Sequence, residues 1–290
     1  MDAIKIVNLK KYYGKHPGVE NVSFSVREGE IFGFVGPNGT GKSTTIRVLL
    51  NFIFPTAGSA SICGMDVVRE SRGIKTFTGY VPSDVRFYGD MTVRELIRVS
   101  NGFYNSVDED EADRLYSLFE LDRTRKFHEL SMGNKKKAAI VCALASKPKV
   151  LILDEPANGL DPVMQKRLFT ELKNQSAKGV SVLLSSHNLA EVQEYCHRVA
   201  FIKNGNILAV TDLKEIRQPR KIVTITGGKD IDHPSMQLLG QDGAKRTYRF
   251  TSGSALLLKL IQDAGPDDFT VNNESLEERF MDLYGLEDRQ

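Results

Sequence analysis

Residues Ile31-Phe32-Gly33-Phe34-Val35-Gly36-Pro37-Asn38-Gly39-Thr40-Gly41-Lys42-Ser43 decide the fold. Ile31 to Val35 is a nearly continuous apolar run, the pattern of a buried strand. A glycine-rich loop follows, and a helix is expected from about Lys42 to Phe52, stopped by Pro55. Strand, loop and helix in that order open an α/β fold with a parallel sheet. Gly36 to Ser43 matches G-x-x-x-x-G-K-[ST] in the context that this motif requires. Its glycines let successive N–H groups turn toward phosphate oxygens, and the helix N-terminus adds its positive end. Gly36, Pro37, Asn38, Gly39, Thr40, Gly41, Lys42, Ser43 and Thr44 therefore form the expected nucleotide-binding set. Lys42 is expected to reach the β- and γ-phosphates and Ser43 to bind Mg²⁺.

Downstream, Val150-Leu151-Ile152-Leu153-Asp154-Glu155 is a second buried strand that ends in two acids. A carboxylate at such a place is costly unless it meets a cation, and Mg²⁺ shared with Ser43 supplies one to Asp154. Glu155 is then positioned to polarise a water lined up on the γ-phosphate. Together the two motifs predict a P-loop nucleoside triphosphatase.

Outward from these motifs, Ile4, Ile6 and Val7 and the alternation Val22, Phe24, Val26 predict N-terminal strands, an antiparallel β subdomain beside the core. Residues from about 84 to 147 are rich in helix formers, notably Val93 to Val99 and Glu111 to Glu120, and predict a helical insertion. The sheet resumes at Val150, followed by a helix over Pro162 to Lys173, a strand over Val180 to Leu184 and a helix over Leu189 to Tyr195. Asn204-Gly205 between Val199 to Lys203 and Ile207 to Val210 predicts a hairpin. Composition shifts near Gln218-Pro219, which suggests a first domain over 1–215 and a small α+β accessory domain over 216–290. In the latter, strands are expected at Ile222 to Thr226, Thr247 to Thr251 and Phe269 to Asn272, with helices at Ala255 to Asp263 and Leu276 to Tyr284.

The 290 residues are 41% hydrophobic and 26% charged, a globular balance that excludes a disordered chain. A formal net charge of only +2 gives no footprint for nucleic acid, and none is expected as a partner. Cys63, Cys142 and Cys196 form no C-x-x-C pair, so a reducing, cytoplasmic setting is expected. No apolar run approaches the ~18 residues that cross a bilayer, and the first residues lack a signal core.

Further motifs lie around the second strand. Leu130-Ser131-Met132-Gly133-Asn134 precedes a helical stretch to Ala145; Gly159-Leu160-Asp161 and Ser185-Ser186-His187 follow Glu155. With these five motifs in order, roughly residues 3 to 215 resemble the nucleotide-binding domain of ABC transporters, most of all the ATPase subunits of bacterial antibiotic exporters. The stretch Ser275 to Tyr284 resembles the tail of those chains.

The resemblance implies ATP and Mg²⁺ as cofactors and ATP hydrolysis as the activity. It implies that Tyr13, with Tyr12 as the substitute, stacks on adenine, that Ser131, Gly133 and Asn134 contact the γ-phosphate held by a second protomer, and that Asp161 orders the facing site. His187 becomes a switch histidine touching the γ-phosphate. Implied partners are a second ATPase, identical or homologous, and a membrane-spanning subunit that holds the chain on the cytoplasmic face of the membrane and is driven for export. His16, His128, His197 and His233 lack such context and read as surface or packing residues. A soluble ABC ATPase of translation or repair is the alternative, although tandem cores and long coiled coils are missing here.

Three positions depart from the family pattern. Ser83 stands where Gln is usual after the Gly79-Tyr80-Val81-Pro82 strand, so any contact with Mg²⁺ would run through a bridging water. Met132 and Asn134 replace the commoner Gly and Gln. Lys135-Lys136-Lys137 opens the following helix and reads as a solvated basic face, or as part of the field around the partner's nucleotide. Val85, Phe87 and Tyr88 read as a docking surface for the membrane subunit.

Overall fold

A computed structural model describes residues 1–102, 108–216 and 220–274. The expected boundary at Gln218-Pro219 and the helix over Leu276 to Tyr284 lie outside the described residues. The chain divides into two compact units, Met1–Leu213 and Lys214–Gln290.

The first unit opens with two long strands, β1 (Asp2–Tyr13) and β2 (His16–Arg27), paired antiparallel with Ile4 opposite Val26 and Ile6 opposite Phe24. The central strand β3 (Ile31–Val35) is buried along its whole length, because it has neighbours on both sides and layers on both faces. Then come α1 (Lys42–Leu49), β4 (Ala57–Ile62), β5 (Met65–Asp66), α2 (Ser71–Lys75) and β6 (Thr78–Val81). Helices α3 (Val93–Gly102), α4 (Glu109–Leu118) and α5 (Met132–Ala145), with a 3₁₀ turn at Phe127–Glu129, lie between β6 and the next strand. The chain continues through β7 (Val150–Asp154), α6 (Pro162–Ala177), β8 (Ser181–Ser186), α7 (Leu189–Tyr195), β9 (Arg198–Lys203), β10 (Asn206–Asp212) and α8 (Leu213–Ile216).

Among the described residues these strands form one sheet in the order β5-β4-β1-β2-β10-β9-β3-β8-β7-β6. The run β9-β3-β8-β7-β6 is parallel, and β5-β4-β1-β2 is antiparallel. One core serves both parts: Ile46, Val48 and Leu49 of α1 pack with Ile4, Phe24, Phe32, Ile152 and Leu183. The rings of Phe24 and Phe32 stack at 5.1 Å, joining the antiparallel half to the central strand. Helix α5 is buried almost all round from Ala138 to Ala145, as its position among β6, α3 and α4 requires.

The insertion is also tied to the core by charge. Arg114 on α4 reaches Glu171 on α6 with two hydrogen bonds, of 2.7 and 3.1 Å. Burial works against the Glu171 charge, but the bonds from Arg114 and Gln175 outweigh it and hold the carboxyl below the usual range.

Helix α1 stops at Leu49, short of the expected Phe52. Asn51 takes φ 51°, and the Phe52 N–H returns to the Arg47 carbonyl at 2.8 Å, a left-handed stop that ends the helix before Pro55.

The second unit is an antiparallel sheet in the order β12-β13-β11-β14, from β11 (Lys221–Thr226), β12 (Met236–Asp242), β13 (Lys245–Phe250) and β14 (Asp268–Asn273), with α9 (Ser254–Ala264) between β13 and β14. Val223, Ile225, Tyr248 and Phe250 pack under Leu257 and Ile261 of α9. The short strands β4 and β5, and β12, were not expected from sequence.

Candidate functional site

The site begins at the loop that enters α1. Gly41 caps the helix at φ 108°, and a Cβ there would lie 2.5 Å from the Gly18 carbonyl oxygen, so glycine alone suits the position. Lys42 is buried. Its Nζ donates to the carbonyls of Gly36 at 2.6 Å and Pro37 at 3.1 Å, and stands 3.3 Å from Glu155 Oε1. Thr40 Oγ1 donates to the Pro37 carbonyl at 2.9 Å and braces the loop from behind.

Glu155 follows the last residue of β7 and takes a left-handed backbone, φ 48°. A non-glycine residue adopts this conformation only where its surroundings fix it. Ser185 on the neighbouring β8 does so. Its Oγ donates to Asp154 Oδ1 at 2.6 Å and accepts from the Glu155 N–H at 3.0 Å. Parallel pairing of β7 with β8 sets Asp154 opposite Ser185, so one hydroxyl holds both acids. The second oxygen of the Glu155 carboxylate lies 2.8 Å from His187 Nδ1. Glu155 thus stands between a lysine and a histidine.

A cavity of about 310 Å³ opens over these groups, lined among others by Asn38, Gly39, Gly41, Lys42, Ser43, Thr44, Ser83 and Glu155. Gly18 and Asn158 also line it, and sequence reasoning passed over both. Tyr13 sits beside this mouth: a Cβ on Gly18 would fall 2.9 Å from the Tyr13 ring. That ring is half exposed, with the Lys11 ammonium 5.4 Å from its centroid. Tyr12 instead directs its hydroxyl to Glu20 at 3.3 Å.

Ser131, Gly133, Asn134 and Asp161 are not part of the cavity lining. Ser131 caps α5 by accepting from the Asn134 N–H at 3.3 Å. A Cβ on Gly133 would lie 2.8 Å from the Gly159 carbonyl oxygen, so the turn that starts α5 packs directly against the loop after Glu155. Asp161 caps α6, accepting from Val163 N and Met164 N at 3.0 Å each. The Met164 N–H, chief among these donors, holds the Asp161 carboxyl below its ordinary range.

The lysine run departs from the expected solvated face. Lys136 is buried at 3% exposure and donates to the carbonyls of Pro82 at 2.8 Å, Ser83 at 2.9 Å and Glu155 at 3.3 Å. Helical spacing explains the difference: Lys136 lies on the face of α5 that turns toward β6, whereas Lys135 places its ammonium 5.4 Å from the Phe127 ring centroid. Of the other histidines, His197 accepts from the Ile31 N–H at 3.0 Å, and His128 Nδ1 lies 2.8 Å from the Gly89 carbonyl.

A buried strand feeding a glycine loop and a helix, with the loop lysine facing an acid at the end of a parallel strand one place further along the sheet, defines a P-loop nucleoside triphosphatase. The family model described as "ABC transporter" matches residues 19–158. The chain is 30% identical to the bacitracin transport ATP-binding protein BcrA of Bacillus licheniformis over 97% of each chain. It is 33% identical to the probable multidrug ABC transporter ATP-binding protein YbhF of Escherichia coli, over 71% of this chain but only 36% of that one, so it spans about a third of that relative's length. A solved structure titled as the ATP-binding subunit of an ABC transporter superposes with a TM-score of 0.69 at 32% identity, over 74% of this chain and 92% of that one. The chain belongs to the ABC transporter family, as an ATP-binding subunit. ATP hydrolysis is the general activity of that family.

Proposed function

We propose that this chain is one of two ATP-hydrolysing cassettes that together drive a separate membrane-spanning subunit, with export as the direction of transport. The observation that carries the reading is the Glu155 carboxylate, set between Lys42 and His187 on the wall of the phosphate-loop cavity. A carboxylate in this position can take a proton from water aimed at a γ-phosphate. Lys42 would exchange its carbonyl partners for β- and γ-phosphate oxygens, and the loop N–H groups from Asn38 to Thr44 would surround them. His187 would reach the γ-phosphate, and the half-exposed Tyr13 ring would stack on adenine.

Mg²⁺ fits the donor set. Asp154 and Ser43 supply hard oxygen, and Glu155 Oε1 is a buried atom with no hydrogen bond of its own. When bound, the ion neutralises phosphate charge. Asp154 and Ser43 would hold it, and Ser83 lies on the same wall.

Because Ser131, Gly133 and Asn134 lie outside their own cavity, they are free to serve the nucleotide of a second cassette, with Asp161 beside the contact. Among the described residues no helix is long and apolar enough to cross a membrane. The names of relatives, which speak of bacitracin transport, a probable multidrug ABC transporter and Nod factor export, support a transport role with export as its direction. The chain would then sit on the cytoplasmic face of the membrane through that partner. Val85, Phe87 and Tyr88 are the proposed docking surface. Tyr88 is 75% exposed, and Phe87 meets Phe127 edge-on at 5.2 Å.

Purification of the chain with its associated membrane protein in mild detergent, followed by an ATPase assay, tests the reading. A membrane protein that co-purifies and stimulates hydrolysis is expected. Absence of both association and hydrolysis would overturn it.

A further inference from the structure

A lysine buried to 3% exposure is uncommon, and its surroundings in this chain are specific. Lys136 lies on α5, little more than one turn beyond Ser131. An ammonium has three N–H donors and no acceptor. Three carbonyls receive them, those of Pro82, Ser83 and Glu155. The first two belong to the loop after β6, where Ser83 lines the cavity and stands in place of a longer side chain. The third belongs to the residue whose carboxylate faces Lys42, and whose backbone is already held in the left-handed region.

We propose that Lys136 is a positioning residue for hydrolysis: its ammonium clamps the Pro82-Ser83 loop and the Glu155 main chain to the helix that begins at the signature turn, and thereby fixes where the Glu155 carboxylate points. The inference rests on the reading of Glu155 as the base. Two physical facts support it. Charge-assisted hydrogen bonds to carbonyls are stronger than neutral ones, and stronger still out of water. A φ of 48° at Glu155 is costly for a non-glycine residue, so contacts on both sides of it are needed to keep one orientation. Ser185 holds its N–H side, and Lys136 holds its carbonyl side. Burial pushes the Lys136 ammonium below its ordinary value, against the pull of Asp154, Glu155 and Asp84.

The clamp also joins two regions that serve different nucleotides. Ser131, Gly133 and Asn134 at the start of α5 are not in the lining of the cavity, whereas Glu155 is. A displacement of α5 would be passed through Lys136 to the base and to the Ser83 loop together.

A double-mutant cycle on the full chain tests this, with Lys136→Met, Glu155→Gln and the pair, measured by steady-state hydrolysis and by nucleotide titration. Lys136→Met is expected to lower kcat about 10- to 100-fold, the scale of a misplaced catalytic group, with ATP affinity within about twofold of the parent. Lys136→Arg, which keeps the charge and donors, is expected to recover most of the loss. In the Glu155→Gln background, Lys136→Met is expected to add less than about threefold, because both changes act through one carboxylate. If Lys136→Met yields little folded chain, Lys136→Gln, which keeps two donors, takes its place in the same cycle. Losses that multiply, or an unchanged kcat in Lys136→Met beside an inactive Glu155→Gln, would overturn the clamp alone. Parental turnover in Glu155→Gln by itself would overturn the reading of Glu155 and the clamp with it.

Discussion

Lys42 Nζ and Glu155 Oε1 stand 3.3 Å apart, with their side chains 5% and 10% exposed. Lys42 opens α1 after the loop that leaves β3, and Glu155 directly follows β7, with β8 between the two strands. The loop carbonyls of Gly36 and Pro37 hold the Lys42 ammonium, and Ser185 of β8 holds the Glu155 N–H. Removing either partner leaves the other buried with fewer contacts, which makes each a sharp probe of the site.

Lys42→Ala removes the cation proposed to face the phosphates. Loss of a charged hydrogen bond, about 1.5–3 kcal/mol, corresponds to ATP binding weaker by roughly 10- to 150-fold. Titration of the purified chain with ATP measures it, and unchanged affinity would remove Lys42 from its assigned role.

Glu155→Gln keeps the shape of the side chain and removes the base. Hydrolysis is expected to fall by roughly 10²–10⁴-fold while ATP binding persists. Size-exclusion chromatography with ATP is expected to show a trapped dimer. Parental turnover would end the catalytic assignment.

Ser131→Arg obstructs the face presented to a second cassette and also removes the cap of α5. The cap accounts for a loss of about 1 kcal/mol in stability. ATP binding by the monomer is expected to survive, and ATP-driven dimerisation to fail. Sedimentation with and without ATP distinguishes the two, and a normal dimer would refute the assignment of the signature loop.

Arg114→Ala separates α4 from α6 and strands the buried Glu171 carboxylate. A cost of about 1–3 kcal/mol is expected. The Glu171 carboxyl titrates below its unfolded value, because Arg114 and Gln175 outweigh burial. Its contribution is accordingly full above the unfolded carboxylate range and disappears as pH falls through the lower, folded value. Thermal melts at descending pH are expected to converge for the parent and Arg114→Ala. A gap that persists in strong acid would contradict the pairing.

Tyr88→Ala and Phe87→Ala probe the proposed docking surface. Capture of the membrane subunit is expected to drop while the isolated chain stays folded and binds ATP. Phe87 also packs on Phe127, so Tyr88→Ala is the cleaner variant. Full capture by both variants would move the docking surface elsewhere.

The glycine loop and the paired acids of the candidate site are legible in the sequence, because binding and splitting a nucleoside triphosphate needs fixed residue types at fixed spacing. Gly36 to Ser43 and Asp154-Glu155 are of this kind. Other features were hidden for physical reasons. Strand β4, Ala57–Ile62, is built of small residues and shows no apolar alternation. Strand β12 is an edge strand exposed beyond Met236, so neither face carries a pattern. The hold of Ser185 on Asp154 depends on the register between two strands far apart in sequence, which no local pattern announces. Three consecutive lysines carry no sign of which one turns inward, so nothing in the sequence singles out Lys136. Asn51 ended α1 early through a left-handed residue that an N-F-I-F-P run does not announce.

The close approach of Gly133 to the Gly159 carbonyl has a mechanical consequence. The start of α5 and the loop that leads into α6 have no slack between them, so neither can travel toward a facing cassette alone. They form a single rigid lip. A second protomer that touches Ser131 would feel Asp161 move in step, and a bulkier residue at position 133 would alter both halves of that lip while leaving the phosphate loop of its own protomer unchanged.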